Sequence, residues 1–285
     1  MRKILVIGSG MMGRGIVQSC AQSGHRVTMM DVNEDAMEKA MEAITWSLQK
    51  LTEKGKLKEP YEDIMARIDR SKSMELGGDA ELVIEAIYED LETKRKIFKT
   101  LEGICQKQTI LASNTSSLPI TEIASVLKTP ERFIGIHFFN PVHRMQLVEI
   151  VKGLMTSGDA VDFAKEFVTS LGKEPVVVNK DIAGFIVNRI NGMAFLEALK
   201  LLDRGVASVD DIDKAMRLGL GHPMGPFELM DLVGLDVVLN ARTGIYSETR
   251  DPNHFPPAIL QRLVATGNLG KKTGKGFYTY STQRM

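Results

Sequence analysis

The chain has 285 residues, 44% of them hydrophobic, which is enough to bury a large core, and its length suggests about two domains. Its 36 basic and 36 acidic side chains cancel, which excludes a broad basic surface of the kind that binds nucleic acid. The two cysteines, Cys20 and Cys105, form no spaced pair and no metal-binding pattern, so a reducing compartment and no resident metal are expected.

The first stretch, "MRKILVIGSGMMG", puts a charge before an apolar run that stops at Gly8. That run is too short for a signal-peptide core or a membrane span, and a cytoplasmic protein without membrane contact is expected. "KILVIGSGMMGRGI" reads as a short buried strand, Ile4 to Ile7, entering a turn with Gly8, Gly10 and Gly13 and then a helix that Gly24 stops. A second strand, "HRVTMMDV", ends in Asp31, 18 residues after Gly13. Strand, glycine turn, helix, strand and acid in this order make a dinucleotide cradle. Gly8 permits the tight turn, Gly10 the close approach of a pyrophosphate, and Gly13 the packing of helix on strand. The helix N-terminus offers unpaired N–H groups to the phosphates. Asp31 suits a free ribose 2′-hydroxyl and repels a 2′-phosphate, and Val32 and Asn33 supply no arginine for one, so NAD(H) is the expected cofactor.

The next segment, "NEDAMEKAMEAITWSLQKLTEKGKLKEPYEDIMARI", has helical periodicity in two stretches broken near Gly55 to Pro60. Met37, Met41, Ile44, Leu48 and Leu51 share one face, so a helical hairpin inserted in the sheet domain is expected. Its tip carries Lys50, Lys54, Lys56 and Lys58. A solvated hairpin and a grip on a phosphorylated ligand fit that tip equally well. Strands resume with "AELVIEAI" and "QTILASNTSSL", joined by a helix in "EDLETKRKIFKTLEGICQ". Their polar ends, Glu85 and Glu89, then Asn114, Ser116 and Ser117, lie where open α/β sheets bind ligands.

"RFIGIHFF" and "LVEIVKG" read as two strands around the loop "NPVHRMQ". If they pair as a hairpin centred near His143, residues whose numbers sum to 286 face each other, and His137 meets Glu149. A carboxylate beside an imidazole orients the ring and sets its tautomer, which is the core of a general acid–base device. From about Lys180 the pattern turns helical, with Ser208 and Asp211 as a capping-box variant. A mostly parallel Rossmann-type α/β domain over residues 1–180 and an all-α domain over 181–285 are therefore expected. The tail "GKKTGKGFYTY" lacks the spacing of a phosphate-binding P-loop.

Taken together, "IGSGMMGRGI", "VIEAIYEDLETKRKIF", "ILASNTSSLPI", "GIHFFNPV", "LVEIV", "GFIVNRI", "GHPMGPFELMDLVGLD" and "GKKTGKGFY" resemble the L-3-hydroxyacyl-CoA dehydrogenase family, and its stand-alone bacterial members above all. The resemblance spans essentially the whole chain and implies NAD(H)-dependent interconversion of (S)-3-hydroxyacyl-CoA and 3-ketoacyl-CoA thioesters, with short acyl chains expected. It implies that His137 is the acid–base group, Glu149 its partner, and that Ser116 and Asn188 hydrogen-bond the reacting substrate or support the site. It assigns Asp31, Glu89, Lys94, Ser116 and Asn140 to the cofactor, Ser47 and Lys54 to coenzyme A, and a homodimer to the helical domain. The one visible departure is Met11, where Gln or Val is frequent in the family. A related dehydrogenase of free hydroxy acids or sugar acids, and a non-catalytic NAD-binding protein, are the alternatives.

Overall fold

Eight short strands form one sheet in the order β3-β2-β1-β4-β5-β6-β7-β8, in a computed structural model that describes residues 1–280. The strands are β1 (Lys3–Ile7), β2 (Arg26–Met30), β3 (Ile68–Ser71), β4 (Leu82–Glu85), β5 (Ile110–Ser113), β6 (Phe133–Phe138), β7 (Leu147–Val151) and β8 (Glu174–Val178). β1 to β6 are parallel in the 3-2-1-4-5-6 order of a dinucleotide-binding sheet. β7 returns antiparallel to β6, and β8 runs parallel to β7. β1, β4 and β5 are apolar nearly throughout because helices cover both faces of the sheet. The strand order reverses between β1 and β4, so the carboxyl ends of these two strands open the ligand crevice.

The helices of this unit are α1 (Met11–Gln22), α2 (Glu34–Glu53), α3 (Tyr61–Met65), α4 (Leu91–Ile104), α5 (Ile120–Ala124) and α6 (Gly158–Ser170). α2 packs on α1 and α3 and buries Met37, Ala40, Ile44 and Leu48; of the apolar stripe read from the sequence, Met37, Ile44 and Leu48 are buried while Met41 and Leu51 are half-buried. The Asn33 side chain caps its start by accepting from the Ala36 N–H, a contact worth about 1 kcal/mol. The expected hairpin has only one long arm. After Pro60 the chain makes just five helical residues, then adds β3 beside β2. In β3 only Ile68 is buried, so the strand lacks apolar alternation and exists because β2 offers an edge to pair with. α6 and β8, for which the sequence raised no expectation, extend the sheet past the hairpin.

The chain divides into two compact units after Ile182, against an expected break after residue 180. The second unit starts at Ala183 and holds α7 (Val187–Asp203), α8 (Val209–Leu220), α9 (Pro226–Val233), α10 (Leu235–Thr249) and α11 (Ala258–Ala265). Its core gathers Phe195, Leu199, Phe227, Met230, Leu235 and Leu260. Ser208 caps α8 by accepting from the Asp211 N–H at 3.1 Å and donating to the Asp211 carboxylate at 2.6 Å. Buried Asp231 accepts from the Phe277 and Tyr278 N–H groups, and a Cβ on Gly276 would lie 2.0 Å from its Oδ1. The glycine-rich tail is therefore an anchored structural strap. No helix among the described residues is long and apolar enough to cross a membrane.

Candidate active site

The glycine cradle begins at the end of β1. Gly8 has φ +103° and packs so tightly on β4 that a Cβ would come within 2.6 Å of the Ala86 carbonyl oxygen. A Cβ on Gly13 would lie 1.9 Å from the Gly8 carbonyl oxygen, which seats α1 directly on the turn. Gly10 differs, because a Cβ there meets nothing within 4 Å. Its outer face is an open cradle of the kind a pyrophosphate fills, and no side chain caps the α1 N-terminus behind it.

Asp31 follows β2, and its Oδ2 accepts from the Ser9 N–H at 2.8 Å and the Ser9 hydroxyl at 2.7 Å, while Oδ1 accepts from the Asn33 N–H at 3.0 Å. Partial burial opposes ionisation, but the hydrogen bonds from Asn33, Ser9 and Val32 outweigh it and hold the carboxyl below its ordinary range. A fixed negative charge therefore stands at the position that suits ribose hydroxyls and repels a 2′-phosphate. The residues present fit NAD.

On the other side of the crevice, α4 starts with Asp90 accepting from the Thr93 N–H at 2.8 Å. Its buried face is Lys94, Phe98 and Leu101, so a lysine occupies the first position of an apolar stripe. The Lys94 ammonium lies 2.6 Å from Glu85 Oε1 and 3.2 Å from Glu89 Oε2. Glu85 is fully buried at the end of β4 and also accepts from the Ile87 N–H and the Ser113 hydroxyl. Glu89 accepts from the Ser116 N–H at 2.8 Å, the Ser116 hydroxyl at 3.3 Å and the Thr115 hydroxyl at 2.9 Å. Glu89, Lys94 and Ser116 thus form one network at the carboxyl ends of β4 and β5.

β6 and β7 pair with His137 opposite Glu149, in the register whose residue numbers sum to 286. His137 Nδ1 lies 2.8 Å from Glu149 Oε2, and both side chains are buried. With Nδ1 engaged by the carboxylate, the chemistry of the ring falls to Nε2. The Phe139 ring packs on the imidazole at 4.6 Å between centroids. Asn114, after β5, accepts from the Phe138 N–H at 2.9 Å and ties the end of β6 to its neighbour. Asn140 is exposed at the start of the β6–β7 loop, just before a cis peptide to Pro141.

That loop is held from below by Lys173, whose buried ammonium donates to the Val142 carbonyl at 2.6 Å and the Met145 carbonyl at 2.7 Å. Burial, with Cys20 opposing it, lowers the Lys173 pKa. Val142 sits against α1 so closely that a Cβ on Gly15 would lie 2.9 Å from its Cγ2. The β6–β7 hairpin is therefore packed on the same helix that forms the cradle.

The remaining residues singled out in the sequence lie elsewhere. Ser47, on α2, accepts from the Gln18 amide at 3.1 Å, and Lys54 is exposed at the C-cap of that helix, seven residues and two turns further on. Asn188 is the second residue of α7, in the second unit. Sequence reasoning missed Ser9, Lys173 and the anchoring role of Asn114. Ser9 carried a signal, since it lies inside the glycine motif beside the acid of β2. Lys173 carried none, because a lysine after a glycine turn reads as a surface residue.

Comparison with known proteins matches this arrangement to one family. Residues 3–182 match the 3-hydroxyacyl-CoA dehydrogenase NAD binding domain, and residues 184–280 match the 3-hydroxyacyl-CoA dehydrogenase C-terminal domain. The chain is 44% identical over 280 residues to a 3-hydroxybutyryl-CoA dehydrogenase of Clostridioides difficile, covering 98% of this chain and 99% of that one. It is also 44% identical over 287 residues to the mitochondrial hydroxyacyl-coenzyme A dehydrogenase of Homo sapiens, covering 98% and 91%. The crystal structure of (S)-3-hydroxybutyryl-CoA dehydrogenase from Ralstonia eutropha superposes with a TM-score of 0.93 at 41% identity, over 99% of this chain and 100% of that one. The chain belongs to the 3-hydroxyacyl-CoA dehydrogenase family.

Proposed function

We propose that this chain is an NAD(H)-dependent oxidoreductase that interconverts (S)-3-hydroxyacyl-CoA and 3-ketoacyl-CoA thioesters, with 3-hydroxybutyryl-CoA and acetoacetyl-CoA as its short-chain pair. The observation that carries the reading is the buried His137–Glu149 pair, built on a hairpin that packs against the cradle helix. Gly8, Gly10, Gly13 and Asp31 hold the adenosine and pyrophosphate end of NAD, and Glu89, Lys94, Ser116 and Asn140 its nicotinamide end. When bound, the nicotinamide supplies a hydride acceptor in one direction and a hydride donor in the other. In oxidation, His137 Nε2 accepts the proton of the substrate 3-hydroxyl; in reduction, it returns that proton to the oxygen at C3. Glu149 holds Nδ1, orients the ring and stabilises the imidazolium formed when the ring takes the proton. Ser116 and Asn188 hydrogen-bond substrate oxygens, Phe139 shields the imidazole face from water, and Ser47 and Lys54 hold the coenzyme A portion.

The protein acts in the cytoplasm as a homodimer through its helical unit. Exposed apolar side chains there, among them Ile190, Leu218, Leu220 and Leu232, support an interface with a second copy. Light scattering in line with gel filtration tests that state, and a monomer at micromolar concentration overturns it. Initial rates with acetoacetyl-CoA, longer 3-ketoacyl-CoAs and free acetoacetate, each with NADH and NADPH, test the activity. Acetoacetyl-CoA with NADH is expected to be the fastest pair. Equal turnover of free acetoacetate would refute the thioester assignment.

A further inference from the structure

The entry into α7 is strained. Gly184 and Phe185 both have positive φ, +76° and +44°, and Phe185 is not a glycine. Left-handed backbone at a bulky residue persists only where the surroundings over-determine it, and such outliers cluster at functional sites. One side of α10 packs against the residues that flank this turn. The Glu248 carboxylate accepts from the Ala183 N–H at 3.1 and 3.2 Å. Ile245 packs beneath Gly184, where a Cβ would lie 2.6 Å from Ile245 Cδ1. Arg242 Nη2 donates to the Asn188 carbonyl at 2.6 Å. Gly192, one turn after Asn188, supplies the notch for that guanidinium, since a Cβ there would lie 2.0 Å from Arg242 Cζ.

Arg242 is only 2% exposed, and among the described residues its Nη1 has no hydrogen-bond partner. Burial, with the nearby Arg189 charge, lowers its pKa to about 10. A buried guanidinium without a carboxylate is costly, and an apolar side chain of similar length would pack there without that cost. Packing therefore does not explain the residue. Its one hydrogen bond among the described residues, to the main-chain carbonyl of Asn188, does.

We propose that Arg242 is a positioning residue for Asn188: its guanidinium grips the Asn188 carbonyl from α10 and, with Glu248 on Ala183, sets the backbone from which the Asn188 side chain meets the substrate. The inference rests on the reading of Asn188 as a substrate-binding group. It predicts that Arg242 matters to the reaction only while Asn188 is there to be positioned.

The test is a double-mutant cycle on the full-length enzyme, with Arg242→Met and Arg242→Lys each made alone and in an Asn188→Ala background. Arg242→Met alone is expected to lower kcat for acetoacetyl-CoA reduction about ten- to hundredfold, the scale of a displacement near 1 Å. Arg242→Lys, which keeps one donor, is expected to recover part of that loss. In the Asn188→Ala background the Arg242→Met change is expected to cost about threefold or less, the signature of residues acting through one another. The NADH dissociation constant stays near wild type, and the melting temperature of Arg242→Met stays at or above wild type because a buried charge has been removed. Equal losses in both backgrounds, or a kcat loss that tracks a falling melting temperature in both Arg242 variants, overturn the proposal. A wild-type rate in Asn188→Ala alone removes Asn188 from the reaction, a distinct failure that strikes the substrate-binding reading itself.

Discussion

His137 Nδ1 and Glu149 Oε2 lie 2.8 Å apart because β6 and β7 pair antiparallel with these two residues directly opposed. The contact is thus set by sheet register, and neither side chain needs a loop to bring it into place. Replacing His137 by Gln removes the proposed proton acceptor while leaving the cradle intact. The expected result is a kcat loss of about 10²–10⁴-fold, with the NADH dissociation constant unchanged by fluorescence titration. Replacing Glu149 by Gln keeps the shape but offers Nδ1 an amide, and a kcat loss of up to about 10⁴-fold is expected. Turnover near wild type in either variant removes the pair from the mechanism.

Gly10 and Gly13 separate binding from folding. A Cβ at Gly10 meets open space, so Gly10→Ala is expected to melt like wild type while the NADH dissociation constant rises about tenfold or more. A Cβ at Gly13 overlaps the Gly8 carbonyl, so Gly13→Ala is expected to lose stability by roughly 1–3 kcal/mol or more. Denaturant unfolding and NADH titration on both variants check the contrast. It fails if the two variants lose stability alike.

On the proposed reading, Asp31 sets the choice between NADH and NADPH. Its hydrogen bonds keep the carboxyl ionised throughout the neutral range, so the repulsion of a 2′-phosphate is always present. Asp31→Ser is expected to raise the ratio of NADPH to NADH catalytic efficiency by about tenfold or more. Steady-state kinetics with both cofactors measures that ratio, and an unchanged value discards the assignment.

His25 makes stability depend on pH. Its Nδ1 accepts from the Arg2 N–H at 3.2 Å, and its Nε2 faces the Ser170 hydroxyl at 2.9 Å, whose own proton goes to the Phe167 carbonyl. Both contacts suit the neutral ring with its proton on Nε2. Burial, together with the positive N-terminus and Arg2 and against Glu81, lowers its pKa in the folded state. The unfolded chain, with an ordinary histidine pKa of about 6.5, therefore binds the proton first. The stability contributed by His25 is full above the unfolded value and is lost as pH falls through the folded one. Between pH 7.5 and 5.5 the melting temperature is expected to drop more in wild type than in His25→Gln. Equal drops exclude His25 as the source.

Much of this was legible along the chain because the signals were periodic or stereotyped. The glycine turn with its acid, the helical stripe of α2 and the 286 sum that joins His137 to Glu149 all follow from spacing. Spacing did not reveal β3, whose one buried residue gives no alternation, nor the five-residue α3 where a longer helix was expected. It also hid Lys173 and Arg242, because charged side chains read as solvent-exposed until their partners are known, and those partners are carbonyls of Val142, Met145 and Asn188.

The sequence by itself determined the dinucleotide cradle and the pairing of the hairpin that joins His137 to Glu149, since each depends on residues close in number or on a single turn. The tertiary structure alone decided where buried charge is held. Lys94 enters an apolar stripe because Glu85 waits at the end of β4, and Lys173 because a loop 28 to 31 residues earlier turns its carbonyls toward it. A charge leaves water only when its partners are already fixed in space, and only the folded chain fixes them.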